Sequence, residues 1–209
     1  MIISKNCKLE KLKQRQYEHT NIGKAYRFLF SIANIIESMP YRCPQVLEFG
    51  VADGISTSVF ADVLEKKNGK LISVDPVNCS DVISGEFTKR SWKFLRTYDY
   101  DTKTIFNSVE RKSFDLIYVD SFSDYKTSYN HMTNVFVTWM PYLVRNGFMV
   151  IHGVDSHPYL SGGRKEDKKK EMMYDNVRRA IFDFYYKNEN IYDLEMCLGS
   201  VGMAFIRKL

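Results

Sequence analysis

Five stretches of this sequence place acidic or imidazole groups where short apolar runs stop: Glu48 to Gly54 ("EFGVADG"), Asp75, Asp99 with Asp101, Asp120, and His152 to Asp155 ("HGVD"). Carboxylates accept hydrogen bonds from hydroxyls and amines, and an imidazole takes or gives a proton near neutral pH. Gly50 and Gly54 stand as G-x-x-x-G, with Ala52 where a dinucleotide fingerprint carries its second glycine. No Lys-Ser/Thr pair follows, so the loop is not a phosphate cradle of the P-loop kind. Asp75 lies about 20 residues past the glycines, the spacing at which a carboxylate accepts both hydroxyls of a ribose. Its other reading is a capping carboxylate ahead of Pro76. Together "EFGVADG", "SVDP" and "FDLIYVD" describe a site for a ribose-bearing ligand without phosphate.

The elements that must hold these groups follow from apolar spacing. Ile22, Ala25, Leu29, Ile32, Ala33 and Ile36 recur at helical intervals between Asn21 and Ser38. "QVLEF" (45–49) suits a strand buried on both faces, and Ile55, Val59, Val63 and Leu64 continue as a helix until "KKNGK". "LISVD" (71–75), a weaker "WKFL" (92–95) and "FDLIYVD" (114–120) read as further strands. Tyr125, Tyr129, Met132, Phe136, Trp139 and Leu143 trace one long helical face, read as core, with His131 on its exposed side. Asn146-Gly147 is expected to end that helix before the strand "FMVIH" (148–152). The basic run "SGGRKEDKKK" (161–170) reads as a solvated, mobile connection to a helix carrying Met173, Val177, Ala180, Ile181 and Phe184. "IYDLEMCL" and "GMAFI" are separated by a link too short for a parallel crossover, so they are expected to form an antiparallel hairpin. The order predicts an open, mostly parallel α/β sheet in one domain, 1–209: a helical extension over 1–40 and the sheet core over 41–209. In such sheets ligands bind beyond the C-terminal strand ends, which is where the five stretches fall.

Bulk composition narrows the classes. The 44% hydrophobic and 14% aromatic content supplies a sizeable core. Phe28 to Ile36 is the longest mostly apolar run, short of the roughly 20 residues a bilayer span needs. The N-terminus lacks the basic, apolar and small-residue order of a secretion signal, so a soluble cytoplasmic protein with no membrane partner is expected. Cys7, Cys43, Cys79 and Cys197 are widely spaced with no C-x-x-C, which signals neither a zinc module nor a redox pair. A net charge of +5 favours anionic partners only mildly.

"VLEFGVADGISTSVFADVL", "GKLISVDP", "FDLIYVDSFSDYKTSYNHM", "NGFMVIHGVD" and "CLGSVGMAFIRK" resemble the class I S-adenosylmethionine-dependent methyltransferases. The nearest resemblance is to the small-molecule O-methyltransferase branch that includes the macrocin (TylF-like) sugar methyltransferases. It implies a Rossmann-like, seven-stranded, mostly parallel sheet with one antiparallel strand near the C-terminus and helices on both faces. It also implies that Glu48, Gly50 and Gly54 line the methionine end of S-adenosylmethionine, that Asp75 takes the ribose, and that Asp99 or Asp101 meets the adenine edge. Asp120 would lie beside the reactive methyl. Ser56 and Thr57 would either offer backbone N–H groups to the cofactor carboxylate or cap their helix.

That branch also places a histidine near the Asp after the fourth strand and an acidic pair after the fifth, which together hold a divalent metal and supply a base. Here Ser123 stands at the histidine position and His152-Gly153 where the acidic pair is expected. Two routes stay open. His152 serves as the general base, or Asp120, His152 and Asp155 ligate a magnesium-like ion that acidifies the acceptor hydroxyl. The leading expectation is methyl transfer to a hydroxyl of a small polar or sugar-like acceptor, with Asp120 and His152 catalytic. The alternatives are a nucleic-acid methyltransferase, for which the basic charge speaks and the absence of a [DN]-P-P-[YFW] motif speaks against, a cofactor-binding protein without catalysis, and a dehydrogenase. His157 reads as a loop residue, and a homo-oligomer is compatible with the aromatic-rich N-terminal helix.

Overall fold

Val46 and Leu47, neighbours in "QVLEF", belong to different apolar clusters on opposite sides of one sheet, which is the arrangement a strand buried on both faces requires. The computed structural model describes residues 21–40, 43–83, 90–122, 124–156, 164–198 and 201–209, with side chains from Phe28 onward. Ser123, His157 and Pro158, Ser161 to Gly163, Cys7 and the first part of the N-terminal extension lie outside the described residues.

The elements run α1 (Asn21–Ser38), β1 (Gln45–Phe49), α2 (Ile55–Lys66), β2 (Lys70–Asp75), β3 (Trp92–Arg96), α3 (Thr102–Phe106), β4 (Phe114–Val119), α4 (Ser128–Trp139), β5 (Leu143–His152), α5 (Lys165–Asn188), β6 (Tyr192–Cys197) and β7 (Met203–Lys208). They build a seven-stranded sheet in the order β3-β2-β1-β4-β5-β7-β6. Every pairing is parallel except those of β7, which runs antiparallel to both β5 and β6. The chain leaves β1 on one side for β2 and β3, then returns to its other side for β4, so the strand order reverses between β1 and β4. That seam is the topological switch point, where the crossovers diverge and leave a crevice.

Helices α1 and α2 cover one face, packing Leu29, Ile32, Ile36, Phe60 and Leu64 against Val46, Leu71, Leu116, Tyr118 and Val150. Helices α4 and α5 cover the other, packing Met132, Phe136, Trp139, Val177 and Ile181 against Leu47, Phe49, Ile117 and Ile151. The stripe read as core is therefore core at Met132 and Phe136, with Tyr129 packed beside it. Each such fully buried side chain contributes roughly 1.5–3 kcal/mol.

Three local expectations are corrected. Helix α4 stops at Trp139 because Pro141 turns the chain through a 3-10 turn, Met140–Tyr142, and Leu143 already opens β5. Asn146, at φ 61°, and Gly147 form a bulge inside β5, where the register against β4 shifts between Phe114 and Leu116. A side chain at Gly147 would meet the carbonyls of Val144 and Asp115 at 2.9 and 3.0 Å. The run from Lys165 is helical rather than a connection: Glu166 and Asp167 occupy the first turn of α5, and Asp167 holds Arg164 at 2.8 Å. Between β3 and β4, where the sequence reading named no element, α3 forms with Asp101 as its N-cap.

Among the described residues no helix is long and apolar enough to cross a membrane, and Cys43, Cys79 and Cys197 are free thiols.

Candidate active site

The loop between β1 and α2 is tied down from three sides. The Gly50 N–H donates to the Val74 carbonyl at 3.0 Å and the Asp120 N–H to the Phe49 carbonyl at 2.8 Å, which locks the loop across the seam. Gly50 (φ 89°) has a protein-side reason to be glycine: a Cβ there would stand 2.1 Å from the Asp120 carbonyl oxygen. Gly54 (φ 74°) has another, since a Cβ would meet the Val82 side chain at 2.6 Å. Both glycines serve close packing of this chain on itself.

Asp75, buried at the end of β2, is the third tie. Its Oδ2 accepts from the Val51 and Ala52 N–H groups at 2.9 and 3.3 Å, and Oδ1 accepts from Val77 N–H at 2.8 Å. A carboxylate has about four acceptor sites. Oδ1 therefore keeps a free position for one ligand hydroxyl, rather than both oxygens standing open for a pair.

Glu48 does not line the crevice. Its Oε1 accepts from Ser56 Oγ at 2.6 Å, and its Oε2 from Thr57 Oγ1 at 2.8 Å and Ser73 Oγ at 2.6 Å, with Trp92 Nε1 donating to Ser73 Oγ at 3.0 Å. The side chain is fully buried between β1, β2 and the first turn of α2. Burial pushes its pKa up to about 7, against the pull of the three hydroxyls. The Ser56 and Thr57 hydroxyls are thus spent on Glu48 and cap nothing. Helix α2 starts at Gly54 with no side-chain cap from that residue and no acidic residue in its first turn, so the positive end of its dipole is not offset by a carboxylate of that turn.

The ends of β4 and β5 bring Asp120 and His152 together: His152 Nδ1 stands 3.0 Å from Asp120 Oδ2, with side chains 19% and 43% exposed respectively. Burial opposes a charge on His152, but the Asp120 charge and hydrogen bond outweigh it and raise the imidazole pKa. Tyr118 lies beneath them, fully buried; burial and the nearby carboxylates hold its phenol well above its ordinary value, so it stays protonated. Asp155 does not join the pair as a third ligand. It is buried against the turn before β7, where its N–H donates to the Val201 carbonyl at 2.8 Å and its Cβ sits 2.7 Å from where a Gly202 side chain would begin. Among the described residues no three His, Cys, Asp or Glu side chains are grouped to hold a metal ion. The set Asp120, His152 and Asp155 therefore does not fit a metal.

Asp99 and Asp101 part company. Asp101 is spent on its own helix, accepting from Thr104 N–H at 3.1 Å and Thr97 Oγ1 at 2.8 Å. Asp99 is buried, and its Oδ2 meets His131 Nε2 at 2.8 Å and Ser121 Oγ at 2.9 Å. His131 is therefore no surface residue of α4. It closes a triangle with Ser121 at 3.2 Å and lines a cavity of about 120 Å³ with Asp99, Tyr100, Asn134 and Trp139. Trp139 Nε1 donates to the Asp99 carbonyl at 2.8 Å and so pins this loop to α4. His131, Ser121 and Ser73 are the residues that the sequence reading missed. Only His131 left a signal: with Val135 and Trp139 it forms an i, i+4, i+8 row on the edge of the buried face.

A family model described as a methyltransferase domain matches residues 47–154, just over half of the chain. Among solved structures, the chain is similar to an O-methyltransferase from Bacillus cereus in complex with SAH, at TM-score 0.60 and 14% identity, covering 100% of this chain and 94% of that one. It is similar to the SAH-bound methyltransferase PaMTH1 of Podospora anserina at TM-score 0.59 and 13% identity, covering 96% and 87%. It also resembles MycE of the mycinamycin biosynthetic pathway, solved with Mg, SAH and mycinamycin VI, at TM-score 0.58 and 15% identity, covering 98% of this chain and 55% of that one. No curated protein matches the chain. The strand order and the antiparallel β7 are the fold these structures share with it.

Proposed function

The chain belongs to the methyltransferase-domain family, and from that premise we propose that it is an S-adenosylmethionine-dependent O-methyltransferase whose acceptor is a hydroxyl of a small polar or sugar-like compound. The observation that carries the reading is the His152–Asp120 pair, 3.0 Å apart at the ends of two adjacent strands beside the switch point.

The crevice fits the cofactor. The uncapped N-terminus of α2 offers N–H donors for its carboxylate, Asp75 Oδ1 offers a position for a ribose hydroxyl, and Asp99, held by His131 and Ser121, takes the adenine edge. When bound, S-adenosylmethionine supplies an electrophilic methyl group on a sulfonium sulfur. This chain's work is to align the acceptor and remove its proton. In the neutral tautomer His152 donates its Nδ1–H to Asp120, which leaves the Nε2 lone pair for the acceptor hydroxyl. With the cofactor bound, Nε2 would take the proton of the acceptor hydroxyl, and Asp120 would stabilise the imidazolium that results. Tyr118, kept protonated, does not compete for this role.

The test pairs binding with turnover. Calorimetry should show S-adenosylhomocysteine binding to the wild type and at least about tenfold more weakly to Asp75→Ala, a loss of roughly 1.4 kcal/mol. Radiolabelled S-adenosylmethionine should then transfer label to members of a panel of sugars and polyols. Unchanged retention by Asp75→Ala, or label passing only to RNA, DNA or amines, overturns the reading.

A further inference from the structure

We propose that the acceptor carries an anionic group, a phosphate or carboxylate, held by Lys126 and Lys169 at the rim of the crevice. The proposal rests on the methyltransferase reading above and specifies its substrate class.

Lys126 precedes α4 and Lys169 lies in the second turn of α5, yet the two ammonium groups meet on one ring: their Nζ atoms stand 6.0 and 5.9 Å from the Tyr125 centroid. Tyr125 is itself anchored, its carbonyl accepting from Asn176 Nδ2 at 2.9 Å. Tyr125 is five residues past Asp120 in sequence. On α5, Tyr174 lies against Gly153, where a Cβ would stand 2.7 Å from its ring, and Gly153 follows His152. Lys169 is five residues nearer the start of α5 than Tyr174, about 7.5 Å along a helix. Lys126 and Lys169 thus sit on the two segments that leave the C-terminal ends of β4 and β5, the same ends that carry Asp120 and His152.

Helix electrostatics does not favour Lys169 where it stands. Arg164, Lys165, Lys168, Lys169 and Lys170 crowd the start of α5, the positive end of its dipole, where cations are unfavourable. The nearby carboxylates have other work: Asp167 pairs with Arg164 at 2.8 Å, and Asp175 with Arg178 and Ser156 Oγ, each at 2.6 Å. Asp124 accepts from the Lys126 N–H at 3.0 Å and from Thr127. Glu166 and Glu171 complete the charges of that stretch. None of the ion pairs among the described residues engages Lys126 or Lys169, and both side chains are exposed. Two ammonium groups flanking an aromatic face fit a small oxyanion on a ring-shaped ligand.

Binding of glucose 6-phosphate, glucuronate and glucose to the full chain saturated with S-adenosylhomocysteine tests this. The charged sugars should bind at least about tenfold more tightly than glucose, roughly 1.4 kcal/mol. A preference for the phosphate or for the carboxylate identifies which anion the rim takes. The double variant Lys126→Glu, Lys169→Glu should erase the preference while leaving S-adenosylhomocysteine affinity unchanged. Equal binding of all three sugars, no binding of either charged one, or a preference that survives the double variant overturns the proposal. So does steeply salt-dependent binding of a short RNA, lost in the double variant, in place of sugar binding. Failure of the wild type to bind S-adenosylhomocysteine instead strikes the methyltransferase reading beneath it.

Discussion

His152 and Asp120 form one device, and pH reads it. The imidazole must be neutral to accept a proton, and its pKa is raised, so kcat/KM is expected to climb with pH through a midpoint above the ordinary value of about 6.5. Asp120→Asn removes the carboxylate charge and should move that midpoint to lower pH while lowering the plateau rate. His152→Ala should cost about 10²–10⁴ in kcat with S-adenosylhomocysteine affinity retained. A pH profile and affinity measurement on the three proteins check both outcomes. A wild-type midpoint below 6, or a His152→Ala variant with undiminished turnover, removes the imidazole from the mechanism. The stability trend runs the other way: the charged pair contributes fully below the ordinary histidine value, and that contribution is lost as pH rises through the raised one.

At the scale of elements, the seam between β1 and β4 is the structure on which the site hangs. Gly50→Ala would drive a methyl group into the Asp120 carbonyl, 2.1 Å away, at a φ of 89° that side chains avoid. The expected cost is on the order of 1–3 kcal/mol, read as a lower urea midpoint. Because the displaced carbonyl belongs to the residue that orients His152, kcat should fall more than the stability loss alone accounts for. A Gly50→Ala protein with the wild-type midpoint and rate would show that the seam yields without cost. The strands themselves were legible, since buried parallel strands are continuous apolar runs. Their ends were less so. Leu143 continues the helical spacing of α4, and only Pro141 and the bulge at Asn146-Gly147 reveal that the chain has changed element. The basic run from Lys165 reads as a link until Glu166 and Asp167 are seen as first-turn residues of a 24-residue helix.

For the whole molecule, Glu48 couples stability to pH. Its folded pKa is pushed up to about 7, above the ordinary carboxylate value, so over that window the native state holds a proton the unfolded chain has released. Stability should therefore fall as pH rises from about 4.5 to 7 and then level off, by roughly 3 kcal/mol for this one group. Glu48→Gln should flatten that slope in urea melts taken across the range; an unchanged slope would show that the carboxyl is not the group responsible. Ligand linkage offers an independent check, since S-adenosylhomocysteine at about 100 times its Kd should add roughly 2.7 kcal/mol to the folded state. The calorimetric affinity and the shift in melting temperature must agree.

The sequence by itself determined the α/β class, the antiparallel hairpin at the C-terminus and the acidic strand ends, because apolar period and link length are local properties of a chain. It also named the two groups, Asp120 and His152, that prove to be neighbours. Tertiary structure alone decided which carboxylates are free. Glu48, Asp75 and Asp101 look alike in sequence, yet three hydroxyls enclose the first, loop N–H groups engage the second, and the third caps its own helix. It likewise decided that Asp155 does not group with Asp120 and His152 to hold a metal ion, that His131 faces Asp99, and that Lys126 and Lys169 share one tyrosine. Glu48 with Ser73, His131 with Asp99 and Lys169 with Tyr125 join residues distant in the chain, and those distances exist only once the strands have chosen their order.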